Sequence, residues 1–444
     1  MAVVLPFAAL HYDPDKVGGL AQVVTQPYDK ITPEMQREYF RRSPYNLAYL
    51  IKGEAKPNDS AAENVYTRAA GWLQSWREQG VLTQRKTPAI YAYYQEFFPP
   101  SAPGSAPMTR KGFIGLGRVE PYESGVVFRH ERTLSGPKAD RLELLRATRA
   151  HLESIFMLYS DPERRIESIL DEHTRRVPVS RVEDEYGVIH TLWEVDEPDA
   201  IQALQQEMTD KKLIIADGHH RYETALNFAR ECRTTHPERE ADCSFALMTY
   251  ANMEGEGIVV LPTHRLLAGM KQWSREEFLS KATGYFALTR YPFTDAAQRQ
   301  GALDQMRAGM RSAGSGTLGA LLHGEEAFYR LETRKDVPWD QLLPDLSPAE
   351  RSLDVTILHR IAFGQCLGMK EESVRKEQHL SYVRDFEEGV EPVLRGAAQA
   401  CFFLNPVGIQ QVREIAFAGR LLPQKSTDFY PKLLSGLVLY ALAH

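Results

Sequence analysis

Lys212-Leu-Ile-Ile-Ala-Asp-Gly-His-His-Arg-Tyr-Glu-Thr-Ala-Leu226 is an apolar run that stops at Asp217-Gly218 and continues into a helix-forming segment. It reads as strand, tight turn and helix. A junction of this kind aims backbone N–H groups and the positive end of a helix dipole at whatever binds there, and here His219, His220 and Arg221 sit on top of them. Phosphate suits such a place. Glycine at the turn lets the backbone approach an anion closely, Arg221 offers a two-pronged donor for phosphate oxygens, and Asp217 beside them can hold a metal ion or accept a proton. The alternative is a helix capped by Asp217 with two exposed histidines. A zinc site is disfavoured, since adjacent histidines point in different directions and no third ligand is evident.

The chain has 444 residues, 43% hydrophobic and 25% charged, the makeup of a globular protein with length for two or three domains. A formal net charge of −6 argues against a sequence-blind nucleic-acid binder, so small-molecule partners are expected. Cys232, Cys243, Cys366 and Cys401 show no C-x-x-C pair and no metal-like spacing to histidine, and read as reduced core residues. The first ten residues lack a basic region and are interrupted by Pro6, which does not suit a signal peptide. No apolar run nears the length of a membrane span, so a cytoplasmic location without a membrane partner is expected.

Outward from the central turn, the periodicities predict a mixed α+β protein. Thr32-Pro33-Glu34 opens a helix to Arg42, with threonine as cap and proline at the first helical position, and Ala61 to Gln79 forms another. Ala89 to Phe98 and Gly112 to Val119 alternate as a strand pair around a Pro-rich loop. Lys138 to Ser154 reads as helix and Ile155 to Tyr159 as strand. Beyond the central helix, Ser244 to Ala251 and Gly257 to Pro262 read as paired strands, Leu353 to Phe363 and Ile409 to Gly419 as helices, Ala400 to Leu404 as a strand, and Lys432 to Ala443 as a last helix. Four regions result: 1–160, 161–270, 271–345 and 346–444. There is no internal repeat or low-complexity tail.

Two further clusters carry candidate chemistry. Arg129-His130-Glu131-Arg132-Thr133, followed by Lys138, Asp140 and Arg141, packs basic groups and carboxylates into a loop and helix start, as a polyphosphate site with Mg²⁺ and a nearby base requires. A solvated charge run reads the same way. Pro423-Gln424-Lys425-Ser426-Thr427-Asp428-Phe429-Tyr430-Pro431-Lys432 places two lysines and two hydroxyls in a proline-bounded loop, suited to phosphate or a substrate carboxylate or to an ordinary capped turn; the glycines of a P-loop are missing. Pro27-Tyr28-Asp29 and Pro262-Thr263-His264-Arg265 are Pro-anchored polar turns, and Asp29 at a strand end suits a general base. There is no G-x-S-x-G, dinucleotide fingerprint or kinase Gly-rich loop.

Taken in order, Pro27-Tyr28-Asp29, Tyr45-Asn46-Leu47, His130-Glu131-Arg132-Thr133, Asp140-Arg141, Ala216 to Tyr222, Pro262 to Arg265 and Pro423 to Thr427 resemble the bacterial family catalogued as domain of unknown function 1015, over nearly the whole chain. The usual Ala-Pro-Pro-Tyr-Asp beginning is Thr25-Gln26-Pro27-Tyr28-Asp29 here, and Leu-Met-Pro-Gln-Lys-Ser becomes Leu421 to Ser426, both outside the expected chemistry. More distantly, the turn is similar to the Gly-x-x-Arg turn that cradles nucleotide phosphates in the ParB and sulfiredoxin superfamily, some of whose members are free-serine kinases. The reactive cysteine of sulfiredoxin is absent, since His219 and His220 occupy its place.

This resemblance implies a ParB/sulfiredoxin-like mixed sheet core with added N- and C-terminal segments. It also implies phosphoryl transfer from ATP, ADP or pyrophosphate, with Mg²⁺, to a small alcohol such as L-serine. Gly218, His219, His220 and Arg221 would hold donor phosphates, helped by Arg132, Thr133, Lys138, Arg141, His264, Arg265, Lys425, Ser426 and Thr427. Asp217 would hold the metal or orient the acceptor, Glu131 is the first candidate base and Asp29 the second, and His130 would steady the transferring charge. A nucleotide sensor without turnover and a phosphoester hydrolase are the rival expectations.

Overall fold

Leu213–Asp217 is an interior strand of a nine-stranded sheet in a computed structural model that describes residues 1–100, 104–133 and 135–442. In chain order the strands are β1 (Val4–Leu5), β2 (Ile90–Phe97), β3 (Met108–Arg118), β4 (Val127–Phe128), β5 (Ile155–Tyr159), β6 (Ser180–Glu183), β7 (Ile189–Val195), β8 (Leu213–Asp217) and β9 (Phe245–Asn252). They lie in the order β4-β8-β5-β9-β3-β2-β7-β6, with β1 also on β3. The expected Tyr/Phe-rich pair is β2 and β3, antiparallel with Tyr91 opposite Ile114. The sheet is mixed, because β8 runs parallel to β4 and antiparallel to β5. Leu213, Ile214 and Ile215 are fully buried, each contributing roughly 1.5–3 kcal/mol. The pairing expected for the strand beginning near Ser244 differs: β9 pairs with β3 along Phe245 to Ala251 and with β5 along Met248 to Asn252.

Helices begin where caps permit. Helix α1 (Pro33–Arg42) starts as expected, the Thr32 hydroxyl accepting from Met35 N at 3.2 Å. Helix α2 (Val65–Glu78) starts later than expected, because Asn64 and Thr67 form a reciprocal capping box there. Helix α3 (Ser135–Thr148) stops at Arg149, which has φ +47°. Helix α4 (His219–Thr235) buries Tyr222, Ala225, Leu226 and Ala229, the i, i+3, i+4, i+7 stripe of an amphipathic helix. The helix expected from Lys432 to Ala443 does not form. Over the described residues this segment is irregular, ending in a two-residue strand at Tyr440–Ala441; Ala443 lies outside them. Gly436 takes φ +101°, and Ser435 and Leu439 exchange backbone hydrogen bonds with Thr25 and Leu10. Pairing with the N-terminal chain replaces the helical ladder.

The chain divides into two units, Met1–Val259 together with the residues from Phe429 onward, and Val260–Asp428. Inside the second, an antiparallel six-stranded sheet runs through β10 (His264–Leu267), β11 (Phe286–Pro292), β12 (Thr317–Leu322), β13 (Ala327–Thr333), β14 (Leu380–Val383) and β15 (Ala400–Leu404) in the order β11-β13-β12-β15-β10-β14. Since β15 lies between β12 and β10, strands from the regions read as 161–270, 271–345 and 346–444 share one sheet. The helix expected at Leu353 to Phe363 is a short turn, Asp354–Ile357, passing into a π-helical stretch, Leu358–Cys366.

The cysteines correct the sequence reading. Cys232 and Cys243 form a disulfide, whereas Cys366 and Cys401 are free and buried. The chain folds back after α4 and brings the first pair to a Cα separation of 6.3 Å, a bridging distance that no spacing rule encodes. Thiol titration in denaturant without reductant is expected to find the two thiols of Cys366 and Cys401; four would contradict the bridge. Among the described residues, no helix is long and apolar enough to cross a membrane.

Candidate anion-binding site

Strand β8 delivers Asp217 to the sheet's end, and Gly218 turns the chain at φ +90° into α4 without any side-chain cap at the helix start. Glycine is required there twice. Its φ disfavours other residues, and a methyl at Gly218 would come within 3.0 Å of Arg221 Nε, because the guanidinium folds back over the turn. Arg221 donates to the Ser154 carbonyl and lies 3.4 Å from Asp217 Oδ2. Its Nε has no hydrogen-bond partner among the described residues.

His219, 7% exposed, also has an unpartnered Nε2 among the described residues. A buried polar atom without a partner costs about 1–3 kcal/mol, which a bound ligand can offset. The His130 and His219 rings meet edge to face at 4.7 Å, so the sequence-distant clusters do converge. Burial drives His219 well below its ordinary pKa, with His130 adding to the effect, and burial lowers His130 to about 4. Burial alone would raise Asp217, but Lys432, Arg221 and Lys30 outweigh it and hold the carboxyl well below its ordinary value. The resting site thus pairs neutral imidazoles with a carboxylate among cations.

That state has a pH signature. His130 and His151, both buried with folded values of about 4, bind fewer protons than their unfolded forms, which titrate near 6.5. Stability therefore falls as pH drops from about 6.5 toward about 4. Differential scanning calorimetry is expected to show the melting midpoint decline over that interval; a flat midpoint would contradict neutral burial.

Much of the 129–141 charge cluster is engaged internally. Glu223, one turn along α4 from His219, accepts from Thr133 Oγ1 at 2.7 Å, Lys138 Nζ at 2.9 Å and Arg129 Nη1 at 3.2 Å. Thr133 and Lys138, expected to hold phosphate, tie their loop to the helix in this structure. Arg141 donates to Asp140 and to the Ile51 carbonyl, and its guanidinium lies 4.1 Å from the Tyr28 ring centroid. Arg132 is exposed, and Glu131 and His220 are half-buried. Buried Glu153 accepts from Tyr28 N at 2.9 Å, and burial raises its pKa against the opposing charges of Arg221 and Arg141. Asp29, exposed, lies within electrostatic reach of Arg221 and Glu153.

The second unit gives its motif residues structural tasks. His264 is buried against Phe386 and Phe403, ring centroids 4.3 and 5.2 Å away, and its Nδ1 accepts from Leu404 N at 3.2 Å. Arg265 is fully buried and donates to the carbonyls of Thr263, Gln424 and Lys425. Ser426 Oγ donates to Pro423 O, closing a turn beside exposed Lys425. Thr427 is half-buried in the same turn. His264 and Arg265, expected to help hold phosphate, are thus engaged within the second unit.

Among the described residues, no group of three or more His, Cys, Asp and Glu side chains is placed to hold a metal ion. Asp217, the expected Mg²⁺ ligand, is surrounded by Arg221, Lys432 and Lys30, a setting that suits an anion and opposes a divalent cation. Sequence reasoning named Lys432 only as part of the 423–432 loop and missed Glu153 and Glu223 as members of the site. Only Glu223 carried a local signal, lying one helical turn beyond His219 on a buried stripe.

A family model described as Protein of unknown function (DUF1015) matches residues 4–356. No curated protein matches the sequence. Among solved structures, the chain is similar to a conserved hypothetical protein from Pyrococcus furiosus (11% identity, TM-score 0.32, covering 69% of this chain and 89% of that one). It is also similar to a free serine kinase in complex with AMP (11%, 0.33, 68% and 83%) and to SbnI with C-terminal truncation from Staphylococcus aureus (9%, 0.33, 72% and 85%). Scores this low carry no argument about chemistry. Because the family model spans well over half of the sequence, the chain belongs to the family described as Protein of unknown function (DUF1015).

Proposed function

We propose that the protein is a small-molecule kinase that transfers a phosphoryl group from ATP, ADP or pyrophosphate to a hydroxylated metabolite. Free L-serine is the preferred acceptor, by the resemblance of the Asp217 to Arg221 turn to that of free-serine kinases. The carrying observation is the uncapped start of the seventeen-residue helix α4. Arg221 is folded over it, and the Nε2 of buried His219, which has no hydrogen-bond partner among the described residues, lies beside it. Backbone N–H groups and Arg221 would bind donor phosphates, while Asp217 orients Arg221.

In the transfer, the acceptor oxygen bonds to phosphorus as the bridging P–O bond to the leaving group breaks, and the bond's electron pair leaves with the departing phosphate oxygen. The acceptor's hydroxyl proton passes to a carboxylate. Glu131, next to His130 in the chain, is assigned as that base, and Asp29, near Arg221, is the second candidate. No step is assigned to Mg²⁺. Glu131→Gln is expected to lower kcat by about 10²–10⁴-fold with donor affinity unchanged. Asp29→Asn, assayed in parallel for acceptor-dependent product, is expected to retain turnover; the reverse pattern would move the base to Asp29.

A further inference from the structure

Lys432 belongs to no helix or strand, yet its side chain is 11% exposed and its Nζ lies 3.9 Å from Asp217 Oδ1. An irregular segment needs an external hold to keep a lysine there. That hold is a row of buried polar side chains crossing three adjacent strands. Arg110 on β3 stands opposite Gln95 on β2, which stands opposite His190 on β7. Arg110 Nη2 donates to Pro431 O at 2.6 Å and Nη1 to Tyr430 O at 3.4 Å, while Gln95 Nε2 donates to Lys432 O at 2.9 Å. Three consecutive carbonyls are thereby gripped by two side chains.

The grip is itself braced. Arg110 Nε donates to Gln95 Oε1 at 2.9 Å, and the two residues are 3% and 1% exposed. His190 Nδ1 lies 2.7 Å from Tyr93 Oη and 3.3 Å from Gln95 Nε2, and its Nε2 lies 3.2 Å from Asp184 Oδ2. Tyr93 Oη in turn accepts from Leu434 N at 3.3 Å. Arg110 has no ion-paired carboxylate among the described residues; carbonyls and the Phe156 ring, 4.5 Å from the guanidinium carbon, surround it. Placing arginine, glutamine and histidine in a sheet interior is costly unless they fix something that apolar residues cannot.

We infer that Lys432 is a phosphate-binding residue of the Asp217 to Arg221 site, held in place by the Arg110–Gln95–His190 row, and that the group it recognises is a polyphosphate. The inference rests on the anion-site reading of the proposed function but not on the identity of the acceptor. Arg221 and Lys432 both face Asp217, and Lys432 adds a compact ammonium that reaches oxygens a planar guanidinium does not. Gln95 and Arg110 are positioning residues, acting through the backbone that carries the lysine.

The test is calorimetric titration of the full chain with pyrophosphate, ATP and ADP in separate arms. Lys432→Met is expected to weaken the probe that the wild type binds by at least about tenfold, and Lys432→Arg to recover part of the loss. Gln95→Leu, which removes no charge, is expected to weaken binding about three- to tenfold. In the Gln95→Leu/Lys432→Met double variant it is expected to add nothing further, because its effect runs through the lysine. Additive losses would overturn the positioning role. Unchanged affinity in a folded Lys432→Met protein, or no binding of any probe by the wild type, would overturn the proposal. Binding that depends on Lys432 without acceptor-dependent product would leave this inference standing and reject the kinase.

Discussion

Arg221→Ala is expected to lower donor-dependent turnover by about 10²–10³-fold, the loss typical of removing one preorganised donor from an oxyanion-type site. The size follows from its setting. Arg221 is folded over Gly218 with an Nε that has no hydrogen-bond partner among the described residues, and it also faces Asp217 and draws the charges of Glu153 and Asp29. Truncation removes the fork and leaves Asp217, Glu153 and Asp29 without its compensating charge. Arg221→Lys is expected to rescue little, because an ammonium cannot reach the Ser154 carbonyl, the Asp217 carboxylate and a ligand together. Steady-state kinetics with donor titration checks this, and a loss of less than about threefold would remove Arg221 from the site.

Glu223→Ala is expected to destabilise the fold by about 2–3 kcal/mol and to weaken donor binding although Glu223 is not assigned to the donor. Its carboxylate joins Thr133, Lys138 and Arg129 to α4, so the loop bearing His130 and Glu131 depends on it. Arg129 and Lys138 keep partial access to water, with side chains 40% and 29% exposed, which places the cost below that of breaking a fully buried pair. Burial alone would raise the Glu223 pKa, but Lys138 and Thr133 outweigh it and lower the value. A depressed folded pKa gives stability that is present above the unfolded value near 4.3 and is lost as pH falls through the folded one. Denaturant unfolding at pH 7 and pH 4 should therefore show the wild-type advantage shrinking at the lower pH.

The turn was legible because its chemistry is local. Four apolar residues, Asp217-Gly218 and an amphipathic stripe specify strand, left-handed turn and helix without outside information, as Thr32-Pro33 specifies the start of α1. What was lost depends on distant partners. Leu433, Leu434, Leu437 and Val438 have helical spacing, yet Ser435 and Leu439 pair with Thr25 and Leu10, and the backbone of the lysine before them is held by Gln95. Glu153 sits in a charged segment where a solvated face and a buried anchor read alike. His264 and Arg265 have the composition of a phosphate turn, but aromatic neighbours and carbonyls far away in sequence make them core residues.

The central claim is phosphoryl transfer to a small alcohol at the α4 turn. Phosphorus NMR of the purified wild-type protein with Mg²⁺ and, separately, ATP, ADP or pyrophosphate, with and without L-serine, tests it most directly. The account predicts an O-phosphoserine resonance that grows only when one of these donors and serine are both present. Donor breakdown to phosphate at the same rate with and without serine, or no change in any donor over the same period, would contradict it.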